Sequence, residues 1–271
     1  MQFLTDQIMK ANEKIVVAVS GGMDSATLLH DLASSLIHWE GMPPTGAGSL
    51  MERVYPITFD YGQRYVRETT RALELCRGLG LSYKIIHVSR LHAILGKAYA
   101  PDSPIVPNRN MIMISMAMSY AISLGSKLVL FGVHAEDWEP GVGNGCNPEF
   151  IEALATAGRL CWGNVGAGVD LMAPYIKMGK ADVLRAGLAD GVGVPYHLTW
   201  SCHDDGKLAC GKCGGCKERL EAFWKIGVRD PLQYAEKNDQ THYEVLYTES
   251  GETWRELTRF VYKGKEFVNV S

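Results

Sequence analysis

The sequence holds no apolar run approaching the roughly 20 residues that a membrane helix needs. Its first residues, Met1 to Asp6, show no basic region leading into an apolar stretch. Neither a membrane span nor a secretion signal is therefore expected, and a cytoplasmic location is. Charge of one sign is also scarce in excess: 27 Lys and Arg stand against 30 Asp and Glu, for a formal net charge of −3. That balance leaves no basic footprint for a nucleic-acid partner. Internal repeats and low-complexity segments are missing, which argues against solenoids, coiled coils and disorder. What remains is ordinary for a globular chain: 271 residues, 46% hydrophobic and 21% charged. This is enough apolar side chain for one generous domain, or one domain with an appendage.

The order of apolar runs predicts the fold class. Ile15 to Val19 is a short β-branched run, followed by Gly21-Gly22 and an amphipathic stretch from Asp24 to about Ile37. Trp39 to Leu50, with three glycines and two prolines, reads as a loop or insertion. Val54 to Phe59, Tyr83 to Val88 and Leu128 to Gly132 read as further strands. Helical periodicity runs over Arg64 to Gly78 and Asn110 to Leu124, the latter with a methionine cluster expected in the core. Strands alternating with helices imply a doubly wound parallel α/β sheet. Such sheets bind ligands beyond the carboxyl ends of their strands, where Ser20, Asp60 and Gly132 fall. The glycine-rich stretch from about 139 to 168 suggests an active-site loop followed by a helix. Beyond residue 226 the pattern changes, with strands expected over Tyr243–Tyr247 and Arg259–Val270 around turns at Ser250-Gly251 and Lys263-Gly264.

Ser20-Gly21-Gly22-Met23-Asp24-Ser25 is the most informative hexapeptide. Two glycines allow a backbone to close on an anion, and the helix N-terminus behind them presents N–H groups to it. Ser20 and Ser25 add hydroxyls, and Asp24 suits Mg²⁺ bound to phosphates or, more plainly, a helix cap. The lysine of the common phosphate-binding loop is missing, so a different nucleotide class is implied.

Seven cysteines are an odd number, and four of them, Cys202, Cys210, Cys213 and Cys216, crowd into one segment. A disulfide framework would spread them in pairs, so reduced, metal-binding thiols are expected. The two Cys-x₂-Cys spacings suit a closed four-thiolate Zn²⁺ site, with an iron–sulfur cluster or a redox pair as alternatives. Cys76 and Cys161 read as core, and Cys146 as the remaining thiol to watch.

Ser20 to Ser25 resembles the PP-loop of the ATP pyrophosphatases. Phe59-Asp60-Tyr61-Gly62-Gln63-Arg64, Val106-Pro107-Asn108-Arg109-Asn110, Gly132 to Asp137 and Pro174 to Lys180 resemble further motifs of one member, the 7-cyano-7-deazaguanine synthase family. Thr199-Trp200-Ser201-Cys202 with the Cys210–Cys216 cluster and Lys217-Glu218-Arg219 resembles that family's C-terminal part. The likeness spans roughly residues 14 to 226. It implies an adenine nucleotide alpha hydrolase-like fold and an ATP-dependent ligase joining 7-carboxy-7-deazaguanine and ammonia into the nitrile through an adenylated intermediate. The partners implied are small molecules, ATP, Mg²⁺ and Zn²⁺, in a homodimer. Domains are expected at 1–198 for the nucleotide-binding and catalytic part, 199–226 for the zinc segment and 227–271 for a C-terminal extension.

Catalytic roles fall to Asp24, Arg109, Lys180, Glu136 and Asp137, and nucleotide contacts to Ser20, Gly21, Gly22, Asp24, Ser25, Asp60, Gln63 and Gly132. Plainer roles compete: a structural salt bridge for Arg109, a solvated helix face for Lys180, turns for Asp60, Gln63 and Gly132, structural carboxylates for Glu136 and Asp137. His134 and His203 read as ordinary polar residues. Two departures stand out: Asn108 replaces a usual glycine, and the family's Ser-Gly-Tyr-Pro-Asp-Cys stretch gives way to a longer one from Trp138 to Cys146. The competing functions are a homologue that stops at the amide or takes a related deazapurine, a tRNA or nucleoside thiolation enzyme using Cys146 and Cys161, and a zinc-ribbon interaction module.

Overall fold

Ile15-Val16-Val17-Ala18 forms strand β1 (Ile15–Ala18), and all four residues are buried. Successive side chains of a strand point to opposite faces, so four buried in a row mean that both faces are covered, as a central parallel strand requires. The computed structural model describes residues 14–37, 50–62, 66–88, 107–138, 146–161, 168–204, 206–235, 246–247, 256–262 and 265–270. These fall into two compact units, Met1–Thr199 and Trp200–Ser271.

In the first unit the chain continues through α1 (Met23–Ile37), a short α2 (Leu50–Arg53), β2 (Val54–Asp60), α3 (Val66–Gly78), β3 (Lys84–His87), α4 (Arg109–Leu124), β4 (Leu128–Phe131), α5 (Pro148–Cys161), β5 (Asp170–Met172) and α6 (Lys180–Gly187). The five strands are ordered β3-β2-β1-β4-β5, and every neighbouring pair is parallel. The chain thus starts mid-sheet, winds to one edge, and crosses back to build the other half. Its topological switch point lies between β1 and β4. Ala18 stands opposite both Ile57 and Phe131, so Ser20, Asp60 and Gly132 emerge at one edge of the sheet, as the strand pattern predicts.

Helix α1 buries eleven of its fifteen residues, including Leu28, Leu29, Leu32 and Leu36. A helix enclosed on nearly all sides must satisfy its polar groups internally. Thr27 Oγ1 donates to the Met23 carbonyl at 2.9 Å and meets the Tyr196 hydroxyl at 2.7 Å. The Tyr175 hydroxyl donates to Asp31 at 2.8 Å. In α4 the methionine cluster divides: Met118 packs in the core beneath the sheet, Met111 is exposed, and Met113 reaches a cavity described below. Asn108, before α4, has φ 55°. Asparagine tolerates this left-handed conformation better than other non-glycine residues, so it can hold a turn that would otherwise favour glycine.

Cys76 is core as expected, but Cys161 is exposed. The buried stripe of α5 is Ile151, Ala155 and Gly158, and Cys161, at the helix end, lies about a quarter-turn off that stripe at 3.6 residues per turn. Strand β5 has only three residues, too short for alternation to register. The insertion at 38–49 and the segment at 139–145 lie outside the described residues.

The second unit contains α7 (Gly214–Lys225) and an antiparallel sheet of β6 (Leu246–Tyr247), β7 (Glu256–Tyr262) and β8 (Lys265–Val270), ordered β6-β7-β8. The Ser250-Gly251 and Lys263-Gly264 turns lie outside the described residues. Trp200, Cys202, Ala209, Cys210 and Cys216 form one buried cluster. A second anchor is ionic: Arg219 donates to both carboxylate oxygens of Asp230, at 2.7 and 2.9 Å, with both side chains 1% exposed. The Tyr234 hydroxyl also donates to Asp230. Removing one partner of such a pair strands a buried charge. Asp230→Asn should therefore destabilise this unit by about 3–5 kcal/mol, read as a lowered denaturation midpoint at unchanged denaturant slope.

Candidate active site and metal cluster

The turn from β1 into α1 is shaped by its glycines. Gly21 has φ +88°, and a Cβ there would lie 2.3 Å from the Glu68 carbonyl oxygen, so the loop rests directly on the first turn of α3. A Cβ on Gly132 would lie 3.1 Å from both Cα and N of Ser25, so the end of β4 closes on the start of α1. The serines hold the loop from within. Ser25 Oγ accepts the Ser20 N–H at 3.1 Å and donates to the Gly22 carbonyl at 3.2 Å, while Ser20 Oγ accepts the Gly22 N–H at 3.3 Å.

Above the loop, at the switch point, lies a cavity of about 260 Å³. Ser20, Asp24, Ser25 and Gly132 line one wall, and Tyr61, Glu68, Arg109, Asn110, Asp137 and Cys146 line the others. Asp24 has one carboxylate oxygen 3.7 Å from Lys180 Nζ. Its other oxygen, Oδ1, is buried with no hydrogen-bond partner among the described residues. An orphaned buried carboxylate oxygen is costly in a finished structure, and it fits a cation-binding position.

Glu136 accepts the Lys180 backbone N–H with both oxygens, at 3.1 and 2.9 Å. Its carboxylate caps α6 and fixes where Lys180 starts. His134, which the sequence leaves as an ordinary polar residue, is 1% exposed, with Nδ1 hydrogen-bonded to Asp137. Burial works against the imidazolium, but the Asp137 hydrogen bond and the nearby Asp24 charge outweigh it and the opposing Lys180 charge, so His134 is pushed above its ordinary value. The same pairing overcomes burial to hold Asp137 below the usual carboxylate range.

Arg109 donates to the Tyr61 hydroxyl at 3.3 Å, with its guanidinium 5.9 Å from the ring centre. Burial pushes the Glu68 carboxyl up to about 7, against the pull of Arg109. Burial likewise pushes the Cys146 thiol up to about 12, and the Asp137 charge adds to it. Asn110 Nδ2 donates to that sulfur at 2.7 Å. Glu68 escapes sequence reasoning because it stands inside α3 without a local signature; Tyr61 falls within the Phe59–Arg64 motif, where the sequence assigns roles to Asp60 and Gln63 instead. Asp60 sits at the same sheet edge but outside the cavity wall, accepting the Gly62 N–H at 3.1 Å and facing His87. Gln63 lies outside the described residues. Thiolation would need thiols poised at this cavity, but Cys161 is absent from its wall and Cys146 is held protonated.

In the second unit the sulfurs of Cys202, Cys210, Cys213 and Cys216 all lie within 4.8 Å of one another. Two of the separations are 4.0 Å, close to the roughly 3.8 Å edge of a tetrahedron with 2.3 Å metal–sulfur bonds. Backbone N–H groups of Asp204 and Cys210 point at Cys202 Sγ, and that of His203 at Cys213 Sγ. Such donors stabilise thiolate charge. The four residues fit a metal ion.

A parallel sheet ordered 3-2-1-4-5, with a lysine-free Ser-Gly-Gly-x-Asp-Ser turn at its switch point, defines a PP-loop nucleotide-binding protein. The chain belongs to the family of the queuosine biosynthesis protein QueC, whose profile matches residues 14–227. It is 40% identical over 236 residues to the 7-cyano-7-deazaguanine synthase of Caldicellulosiruptor bescii, covering 82% of this chain and 97% of that one. To the enzyme of the same name from Psychromonas ingrahamii it is 37% identical over 239 residues, covering 82% and 98%. Among solved structures the U34-tRNA thiolase NcsA from Methanococcus maripaludis, with its [4Fe-4S] cluster, shares the fold. The TM-score is 0.50 at 19% identity, covering 81% of this chain and 67% of that one.

The His134–Asp137 pair carries a direct test. In Asp137→Asn the carboxylate charge and its charge-assisted hydrogen bond are gone, while burial, the largest influence on His134, remains and the Asp24 and Lys180 charges oppose one another. The imidazole should then titrate below its ordinary value instead of above it, as followed by its ring-proton NMR shifts. An unchanged titration would show that Asp137 does not set the charge of His134.

Proposed function

We propose that the chain is an ATP-dependent ligase that converts 7-carboxy-7-deazaguanine and ammonia to 7-cyano-7-deazaguanine. The observation that carries this is that one cavity is lined both by the PP-loop residues Ser20, Asp24 and Ser25 and by Arg109 and Asp137, so that a nucleotide and an acceptor can meet there. Relatives at 37–40% identity bear the name of that synthase, which supports the choice of acceptor.

A carboxylate is a poor electrophile because oxide would have to leave. Attack of its oxygen on the α-phosphorus of ATP replaces that with AMP as leaving group and releases pyrophosphate. Ammonia then displaces AMP to give the amide. A second ATP adenylates the amide oxygen, and loss of AMP leaves the nitrile. The protein's contribution is orientation and charge stabilisation. Ser20, Gly21, Gly22 and Ser25, with the N-terminus of α1, receive the phosphates, and Gly132 allows their close approach. Lys180, placed beside Asp24 by the Glu136 cap, stabilises negative charge building on the pyrophosphate. Arg109 offers its planar fork to the substrate carboxylate, and Asp137 faces donor N–H groups of the deazapurine ring. Asp24 Oδ1 would hold Mg²⁺, which when bound offsets phosphate charge. The four cysteines would hold Zn²⁺ in a closed, structural site. The family resemblance supports a cytoplasmic homodimer that acts on free small molecules rather than on nucleic acid.

Asp24→Asn leaves the loop's geometry but removes the carboxylate charge. Pyrophosphate release with MgATP and the deazapurine acid should fall on the order of a hundredfold or more, with the thermal midpoint kept. Full turnover by this variant would remove Asp24 from the nucleotide site. Mass spectrometry of the wild-type product separates nitrile from amide.

Cys213→Ser should lose zinc and thermal stability together, since thiolate–zinc binding is worth on the order of 10 kcal/mol in small domains. Elemental analysis with a melting curve decides it, and a variant depleted of zinc yet melting like wild type would refute a structural metal.

A further inference from the structure

We propose that Glu68 is the proton acceptor for the amide-forming and nitrile-forming steps, a role that rests on the ligase reading above. The proton balance sets the requirement. Adenylation of the carboxylate releases pyrophosphate and needs no base. Displacement of AMP by ammonia forms a C–N bond and sheds one proton. Adenylation of the amide oxygen forms an O–P bond, turns the amide into an imidate and sheds a second. Loss of AMP from that imidate breaks the C–O bond, makes the nitrile and sheds a third. A single base at the cavity wall can accept each in turn and pass it to water between steps.

The other titratable groups in and beside the wall are committed elsewhere. Asp24 faces Lys180, and Asp137 is hydrogen-bonded to His134 and held below the carboxylate range, a poor proton acceptor. Cys146 stays a neutral thiol, and Arg109 is a cation. Glu136 is spent on the N–H of Lys180. Glu68 remains. It lines the cavity from the first turn of α3, and its own carbonyl lies directly against Gly21 of the PP-loop. Glu68 therefore enters the cavity wall from the helix turn that touches the PP-loop, the side on which a nucleotide is received. The charged group bearing on it is Arg109 from α4; Asp24 and Asp137 share the wall. Burial brings its carboxyl to about 7, and a base titrating near the working pH combines an adequate unprotonated fraction with useful strength.

The test separates the half-reactions in the full-length protein. Without ammonia, Glu68→Gln should release pyrophosphate from MgATP and the deazapurine acid in a first-turnover burst equal to that of wild type. With ammonia, its amide and nitrile formation should fall on the order of 10²–10⁴-fold. Wild-type rates at fixed free-ammonia concentration should rise through about pH 7 as Glu68 loses its proton, and this limb should vanish in Glu68→Gln. Glu68→Asp should recover part of the rate and keep a limb. A burst that falls by the same factor as the product would mean that Glu68 only orients Arg109 or the substrate, and would overturn the proposal. So would nitrile formation by Glu68→Gln within a few-fold of wild type. If Glu68→Gln fails to fold, the wild-type profile decides: no ionisation near 7 in the ammonia-dependent steps overturns the proposal. A wild-type protein giving no pyrophosphate with the deazapurine acid removes the ligase reading itself, an outcome distinct from these.

Discussion

Everything at the nucleotide end of this protein depends on two close approaches of backbone to backbone. Gly21 presses on the first turn of α3, and Gly132 presses on the first turn of α1. Either side chain would push apart elements that must touch for the cavity to exist. Gly21 adds a conformational demand, since its φ of +88° would cost a larger residue on the order of 1–2 kcal/mol before any clash. The loop serines then tie its N–H and carbonyl groups to their hydroxyls. The result is an internally bonded turn from which Ser20, Asp24 and Ser25 line the cavity. It sits where the strand order reverses and helices on opposite sides part to leave room.

That dependence explains which parts were legible in the sequence. A turn that needs glycine for both geometry and space, with serines at fixed offsets after an apolar strand, leaves a local record, and Ser20 to Ser25 could be read directly. The thiolate cluster leaves one too, because Cys-x₂-Cys brings two sulfurs to one point whatever surrounds them. β1 and β4 announced themselves through unbroken apolar runs, and β2 through a run rich in β-branched and aromatic residues. β5 did not, because three residues cannot display a period. His134 did not, because its role comes from Asp137 one turn on, and from Asp24 and Lys180, which are distant in sequence. Glu68 did not, because a carboxylate on a helix with polar neighbours reads as solvated until the fold shows the loop lying over it. Cys161 was misread because a thiol beside Trp162 looks apolar, while the helix phase turns it outward.

The longer stretch after Asp137 had cast doubt on the acceptor side of the site. The two ends of that stretch nevertheless reach the cavity: Asp137 and Cys146 are both in its wall. Cys146, bonded to Asn110 and kept neutral by burial, presents a soft, uncharged surface suited to the flat face of a heterocycle rather than a nucleophile. Asn108 allows α4 to begin in the same left-handed turn that glycine would, so Arg109 and Asn110 enter the cavity from a correctly started helix. The Asn108 departure therefore leaves the start of α4 in place, and Asp137 and Cys146 both line the cavity.

The placement of Lys180 is the clearest sign that this end of the molecule was shaped by charge rather than by stability. A lysine at the first position of a helix faces the positive end of the helix dipole, which disfavours it. The preceding Gly179 offers no side-chain cap. Glu136 supplies the missing acceptor from the other side, taking the Lys180 N–H with both oxygens and offsetting the positive end of α6. Freed from that conflict, the lysine amine extends to Asp24, 12% exposed. His134 lies close enough to feel the Asp24 charge, and its pairing with Asp137 favours its protonated form. A stability-driven sequence would put a neutral residue at position 180 and leave 136 to water. Placing a cation beside one partly unsatisfied carboxylate makes sense where further negative charge arrives, as it does when a triphosphate and its metal enter the loop.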